Sequence, residues 1–284
     1  MFKGERFMKP AVLIGLILLL AVAASAQPSV VPGGVLNAAS FAKNSNGQGT
    51  AVAPGSLISI FGTGLGTSQA DADTVPFSTS LGGVSVTFNN VAAPLRDVIP
   101  SANLVNAQLP FEVLAAGQAT GSVSMVVSVN NVPLAPQVVP LAAQAPGIFS
   151  IPPGVGIAVM VNLTDGSIAG PANANIGLTT HPIPRGTFAF FYATGLGAMS
   201  PPVTDGTAGS PGVTYNAINV PQVMIGGVAA QVLFAGQAPG FPGVYQVNIQ
   251  IPANAPTGDG ISVQMVSADG TITSAPNTAV ISVQ

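Results

Sequence analysis

Apolar and polar side chains alternate strictly from Tyr245 to Ile251, with Tyr245, Val247, Ile249 and Ile251 set between Gln246, Asn248 and Gln250. Val123, Met125, Val127 and Val129 alternate in the same way with Ser122, Ser124 and Ser128, broken only by Val126. A period of two predicts strands with one dry face and one wet face. After residue 26 no stretch keeps apolar residues at spacings of three and four, so helices are expected to be short and few. Asn46-Gly47, Asp165-Gly166, Asp259-Gly260 and Asp269-Gly270 stand between or beside the apolar runs, where turns favour residues that accept positive φ.

The strand pattern comes in two copies. Pro54 to Gly66 (PGSLISIFGTGLG) returns in outline as Pro184 to Gly197 (PRGTFAFFYATGLG), and Thr63-Gly64-Leu65-Gly66 matches Thr194-Gly195-Leu196-Gly197 at a spacing of 131 residues. Val84 to Phe88 followed by Val91-Ala92-Ala93 corresponds to Pro221 to Ile225 followed by Val228-Ala229-Ala230. Val105-Asn106-Ala107-Gln108-Leu109-Pro110 matches Val247-Asn248-Ile249-Gln250-Ile251-Pro252. Three blocks in one order indicate two copies of a single module rather than a solenoid of short repeats. Short strands punctuated by turns, in segments of about 100 residues, point to immunoglobulin-like sandwiches. The expected fold class is all-β, with two related immunoglobulin-like β-sandwich modules in tandem, the first over residues 27–145 and the second over 146–284. The boundary is placed at Ala145-Pro146-Gly147, and the second module then opens with the apolar run Val155 to Val161.

Composition fits this picture. Hydrophobic residues make up 48% of the 284 positions, enough for two ordinary cores, and the 34 glycines and 26 prolines suit frequent turns. Only 5% of residues are charged, which argues against long surface helices. Lys3, Arg6 and Lys9 precede an apolar run from Ala11 to Ala24 that ends in Ala24-Ser25-Ala26, so residues 1–26 are expected to be a signal peptide cleaved after Ala26. A start at Met8 would keep a positive residue and the whole apolar run. That run is short of the roughly 20 residues a membrane span needs, and no stable span is expected after cleavage. The chain has no cysteine, so neither disulfides nor a lipoprotein anchor is available.

Past residue 26, Lys43, Arg96 and Arg185 face eight acidic residues, a charge near −5. Nucleic acid is a poor partner for such a surface, since its binding depends on clustered Lys and Arg. The expected location is secreted or periplasmic, and the expected partner a protein or a glycan.

Further motifs carry a family likeness. Asn37-Ala38-Ala39-Ser40-Phe41, Ala53-Pro54-Gly55-Ser56 through Phe61-Gly62, Leu81-Gly82-Gly83-Val84, the two Val-Asn-x-Gln-x-Pro blocks, Ala145-Pro146-Gly147-Ile148-Phe149 and Tyr192 to Gly197 occur in that order. Together they resemble an uncharacterised secreted family, the C-terminal region of many acidobacterial (Solibacter-type) exported proteins, which is similar to IPT/TIG immunoglobulin-like modules. The likeness runs from about Gly34 to the C-terminus. In that family the region often follows repeat or enzyme domains, and this chain is expected to be a stand-alone form. The resemblance implies no catalytic or binding residues.

The residues offer little chemistry. Gly62-Thr63-Gly64-Leu65-Gly66 lacks both the glycine spacing of a dinucleotide loop and the lysine of a P-loop, and reads as a tight turn. His181, the only histidine, lies before Pro182 with no Gly-x-Ser-x-Gly elbow or cysteine to pair with, and reads as a solvated loop residue. Asp71, Asp73 and Asp205 read as solvated turn aspartates rather than calcium ligands. No catalytic residue, cofactor or metal is expected. Phe188, Phe190, Phe191, Tyr192, Phe234, Phe241 and Tyr245 concentrate in the second module, most of them expected in its core. Phe241, in Pro239-Gly240-Phe241-Pro242-Gly243, is the candidate exposed contact. The leading reading is a non-enzymatic interaction module for adhesion, envelope organisation or display. Its alternative is a carbohydrate-binding accessory protein, which an exposed aromatic cluster on one sheet face would favour, and a secreted hydrolase comes third.

Overall fold

The computed structural model describes residues 27–210, 212–274 and 278–284, so the expected signal peptide lies outside the described residues. Among these residues the chain is built of strands and loops, with two single 3-10 turns at Pro100–Ala102 and Phe111–Val113. The principal strands of the first half are β1 (Ser29–Asn37), β2 (Leu57–Thr63), β3 (Val84–Phe88), β4 (Leu95–Ile99), β5 (Leu104–Gln108), β6 (Thr120–Val129) and β7 (Gln137–Ala142). Those of the second half are β8 (Met160–Asn162), β9 (Phe188–Thr194), β10 (Gln222–Ile225), β11 (Val228–Gln237), β12 (Tyr245–Gln250), β13 (Gly258–Val266) and β14 (Ala279–Val283).

The repeat is visible in the pairing. In the first half β1, β2, β5 and β4 pair in that order as one sheet, and β3, β6 and β7 as the other, all antiparallel. In the second half β8, β9, β12 and β11 form one sheet, while β10, β13 and β14 form the other. Thus β9 takes the place of β2, β12 of β5, β10 of β3 and β13 of β6. Each pair of sheets encloses its own core, one drawing buried residues from Val30 to Leu141, the other from Ile148 to Val283. The fold is all-β, two immunoglobulin-like sandwiches in tandem.

Local chemistry accounts for the differences between the copies. Both turn tightly after the β3 or β10 strand, once through Asn89-Asn90 (φ +47° and +69°) and once through Gly226-Gly227 (φ +57° and +82°). These are residues suited to a two-residue hairpin turn with both φ values positive. Beyond the turn, β11 continues as one strand with a bulge between Val232 and Phe234, pairing first with β10 and then with β12. The equivalent stretch of the first copy is divided into Val91–Ala92 and β4, and Pro94, which lacks a backbone N–H, stands in the gap. The apolar run Val155 to Val161 forms two short strands, Gly156–Ala158 and β8, the first paired with β14 and the second with β9. Asp259-Gly260 lies at an irregularity inside β13 rather than in a turn between strands.

The two sandwiches are stitched together. The Leu57 amide at the start of β2 donates to Thr194 Oγ1 (2.9 Å) and towards the Gly243 carbonyl (3.2 Å), and the Thr194 hydroxyl donates to the same carbonyl (2.8 Å). Thr194 opens the second Thr-Gly-Leu-Gly motif. Its Gly195 has φ +89° and lies so close to the Ala145 carbonyl that a Cβ would collide with it. The first copy of the motif ends β2 with Gly64 at φ +64°. Leu65 and Leu196 are fully buried, and both glycines of each motif take positive φ.

Candidate functional site

Strand β9 reads Phe-Ala-Phe-Phe-Tyr-Ala-Thr. Ala189, Phe191 and Ala193 face the core and are fully buried, which puts Phe188, Phe190 and Tyr192 on the outward face of the sheet. The expectation that most of the aromatic cluster is core therefore fails for this parity. On β9 both parities are apolar, and the inward side is filled by one large ring flanked by two alanines. The bulk around it comes from Tyr245, Val247 and Ile249 of β12.

The outward rings form a row. Phe190 and Tyr192 stand 5.5 Å apart between ring centroids, and Tyr192 and Phe241 5.9 Å apart, each pair edge to face. Such pairs are favourable by about 0.5–1.5 kcal/mol beyond area burial. Phe241 is 53% exposed, and Phe188, at the other end of the row, 47%. The Phe241 loop is braced on both sides. Gln237 Nε2 donates to the Phe241 carbonyl (2.8 Å), and Gly243, two residues on, receives the Leu57 and Thr194 hydrogen bonds described above. The first sandwich thus helps to place the last ring of the row.

Beside the rings runs a row of amides. Phe188 pairs with Gln250, Phe190 with Asn248 and Tyr192 with Gln246, so the side chains lie opposite one another on one face. Gln246 Nε2 donates to Asn248 Oδ1 (2.8 Å), and Gln250 Nε2 to the Gly186 carbonyl (2.9 Å). Across β12, Phe234 pairs with Asn248 and its ring lies over Gly236. Strands β8, β9, β11 and β12 carry no Asp, Glu, Lys, Arg or His.

The remaining candidates lie apart from this face. His181 is in a two-residue strand, Thr180–His181, rather than a loop; its side chain is exposed, with Nδ1 3.4 Å from Asp165 Oδ2. The Asp165 carboxyl is held below its ordinary range chiefly by hydrogen bonds from Ser167. Among the described residues no three of His, Asp and Glu gather where they could hold a metal ion. No helix among the described residues is long and apolar enough to cross a membrane.

Asp205 departs from expectation. It is half-buried between the sandwiches, where Oδ1 accepts the Phe111 amide (3.1 Å). The neighbouring Gly206 donates to Gln108 Oε1 (2.5 Å) and accepts the Phe77 amide (2.9 Å). The turn composition of Thr204-Asp205-Gly206 gives no sign that a surface from the other copy will cover it. Burial, reinforced by the adjacent Glu112 carboxyl and opposed by the Phe111 N–H, pushes the Asp205 carboxyl up to about 7. The buried Tyr245 hydroxyl, which donates to the Gly197 carbonyl (3.2 Å), is pushed up in turn by burial and by Asp205. A carboxyl whose folded-state pKa lies above its unfolded value binds protons more tightly when folded. Its contribution to stability therefore declines as pH rises from about 4 to about 7 and is level above that. Asp205→Asn keeps an acceptor for the Phe111 N–H without the charge. Its melting temperature relative to wild type is expected to rise across that pH range, reaching several degrees above wild type at pH 8. A difference independent of pH would show that Asp205 titrates as an ordinary exposed carboxylate.

No family model and no curated protein matches the chain. Among solved structures, it is similar over 91% of its length to the surface glycan-binding protein PbSGBP-B of Prevotella bryantii, covering 42% of that chain at 11% identity and a TM-score of 0.23. The same share of the chain is similar to the I9-I11 tandem of titin, covering 66% of it at 10% identity (TM-score 0.20), and to the Escherichia coli adhesin FdeC, covering 63% at 13% identity (TM-score 0.21). In each case the chain spans less than two thirds of the other protein. Similarity this low says nothing of ligand or activity.

Proposed function

We propose that this chain is an exported, non-catalytic contact module that holds its partner on the outward face of β11, β12, β9 and β8, serving adhesion, envelope organisation or display. The observation that carries this reading is the row formed by Phe188, Phe190 and Tyr192 on the outward face of β9 and by Phe241 of the adjoining loop, exposed at both ends and half-buried between them. Contiguous exposed apolar surface of this kind is costly to a soluble protein unless something covers it. A hydrolase built on His181 would have a single exposed carboxylate as that histidine's polar neighbour.

The test compares two substitutions in a pull-down of the mature chain against envelope and spent-medium fractions. Phe241→Ala is expected to leave the fold intact and weaken capture about fivefold or more, as for an anchor residue at an interface. His181→Ala is expected to change neither capture nor any hydrolysis of glycans, esters or peptides. Loss of a hydrolytic activity with His181→Ala, together with unchanged capture by Phe241→Ala, would make the enzyme reading correct.

A further inference from the structure

We infer that the ligand of this face is a neutral polysaccharide, lying along β9 with sugar rings against the aromatic row and hydroxyls on the amide row. The inference rests on the contact reading above and names its partner.

The chemistry of the face is unusual in what it combines. Its four strands contain no ionisable side chain besides tyrosine, so the face itself offers no ion pair to an anionic or cationic polymer. A purely lipid-like ligand would leave the amides of Gln246, Asn248 and Gln250 unpaired on contact, at a cost for each buried polar group. Those amides are only half engaged with one another. Gln246 Nε2 is used on Asn248 Oδ1 and Gln250 Nε2 on the Gly186 carbonyl, so Gln246 Oε1 and Gln250 Oε1 remain as acceptors and Asn248 Nδ2 as a donor. Alternating acceptors and donors without charge suit hydroxyl groups, which both donate and accept.

The shape agrees. Phe188, Phe190 and Tyr192 sit at every second position of one strand, about 13 Å end to end from the strand rise, and Phe241 prolongs the row beyond Tyr192. Register places the amides one strand away along the same length, Gln250 opposite Phe188, Asn248 opposite Phe190 and Gln246 opposite Tyr192. An extended chain of sugar rings presents apolar C–H faces to one side and hydroxyls to its edges along its whole length. It fits two parallel rows, one aromatic and one polar, better than a compact ligand does.

The experiment is affinity gel electrophoresis of the mature chain, residues 27–284, in gels containing xyloglucan, galactomannan or mixed-linkage β-glucan. Gels with polygalacturonate and with no polysaccharide serve as the comparison. Retardation is expected in at least one neutral gel, unchanged between about 0.05 and 0.5 M salt because no charges take part, and absent with polygalacturonate. Tyr192→Ala and Phe241→Ala should each weaken it about tenfold, and Asn248→Ala several-fold, with circular dichroism matching wild type. Phe241→Ala, at a half-exposed loop position, keeps the test valid if Tyr192→Ala does not fold. No retardation by any of the three neutral polysaccharides overturns the inference. If Phe241→Ala then still weakens capture of an envelope protein, the contact reading survives with a protein as partner. Neutral-glycan binding untouched by all three substitutions would move the site elsewhere and overturn both, and salt-sensitive retardation by polygalacturonate would overturn the neutral ligand alone.

Discussion

Gly195→Val is expected to destabilise the protein by about 3–6 kcal/mol, a large effect for a single substitution. Two independent penalties meet at this residue. Its φ of +89° lies in a region that β-branched side chains adopt only under strain. The space into which the side chain would grow is already occupied by the Ala145 carbonyl and the Pro146 backbone, atoms that cannot swing aside. That carbonyl also accepts a hydrogen bond from Asn37 Nδ2 (2.9 Å), so displacing it disturbs a buried bond to the end of β1. The equivalent Gly64→Val carries the first penalty but little of the second, because at φ +64° its nearest neighbours are atoms of Pro28 at 3.3 Å and beyond. An effect of about 1–3 kcal/mol is expected there. Urea unfolding of both variants measures the contrast, and equal losses at the two sites would mean that packing on Ala145 adds nothing.

This asymmetry also marks where reading the sequence stops. The matching Thr-Gly-Leu-Gly motifs make the repeat legible, and the period of two in Tyr245 to Ile251 and in Val123 to Val129 makes the strands legible, because alternation is a direct consequence of pleating. What the motif touches is another matter. Gly64 and Gly195 have the same neighbours in sequence, yet one faces Pro28 and the other faces the chain between the sandwiches. Similar local sequences carry no record of their different tertiary surroundings.

The aromatic face shows a second limit. In Phe188 to Ala193 both parities are apolar, so alternation identifies two faces without saying which is inside. The decision comes from β12, whose clean Tyr, Val and Ile parity fixes the core side and, through antiparallel register, assigns Phe191 to it and Phe190 to solvent. The exposure of Phe241 was legible for a local reason: a Gly/Pro loop has little core to offer a ring. Its contact with Tyr192 was not, since 49 residues separate them. Asp205 illustrates the reverse case, a residue in turn-like sequence that is covered by Gln108 and Phe111 of the other sandwich.

The coupling between the sandwiches leads to the largest remaining expectation. We propose Pro146 as a boundary at which the second sandwich can be cut away and still fold, because its core is drawn from residues 148–283. The fragment Pro146–Gln284 should nevertheless be less stable than the same sandwich in the whole chain by about 2–4 kcal/mol. It would lose the Phe111 ring packed on its core, the Phe111 amide on Asp205, the Gln108 side chain on Gly206 and the Leu57 amide on Thr194. Groups freed at the cut regain water, which limits the loss to a fraction of the summed contacts. Tyrosine emission isolates the quantity of interest. The chain has no tryptophan, and its three tyrosines, Tyr192, Tyr215 and Tyr245, all belong to the second sandwich, so the signal reports the same unit in fragment and full chain. A lower urea midpoint for the fragment, with one cooperative transition, is the expected result. An unchanged midpoint would mean that the hydrogen bonds between the sandwiches contribute nothing net. A fragment without a transition would mean that Phe111 and its neighbours are part of one indivisible core, and that the proposed boundary is wrong.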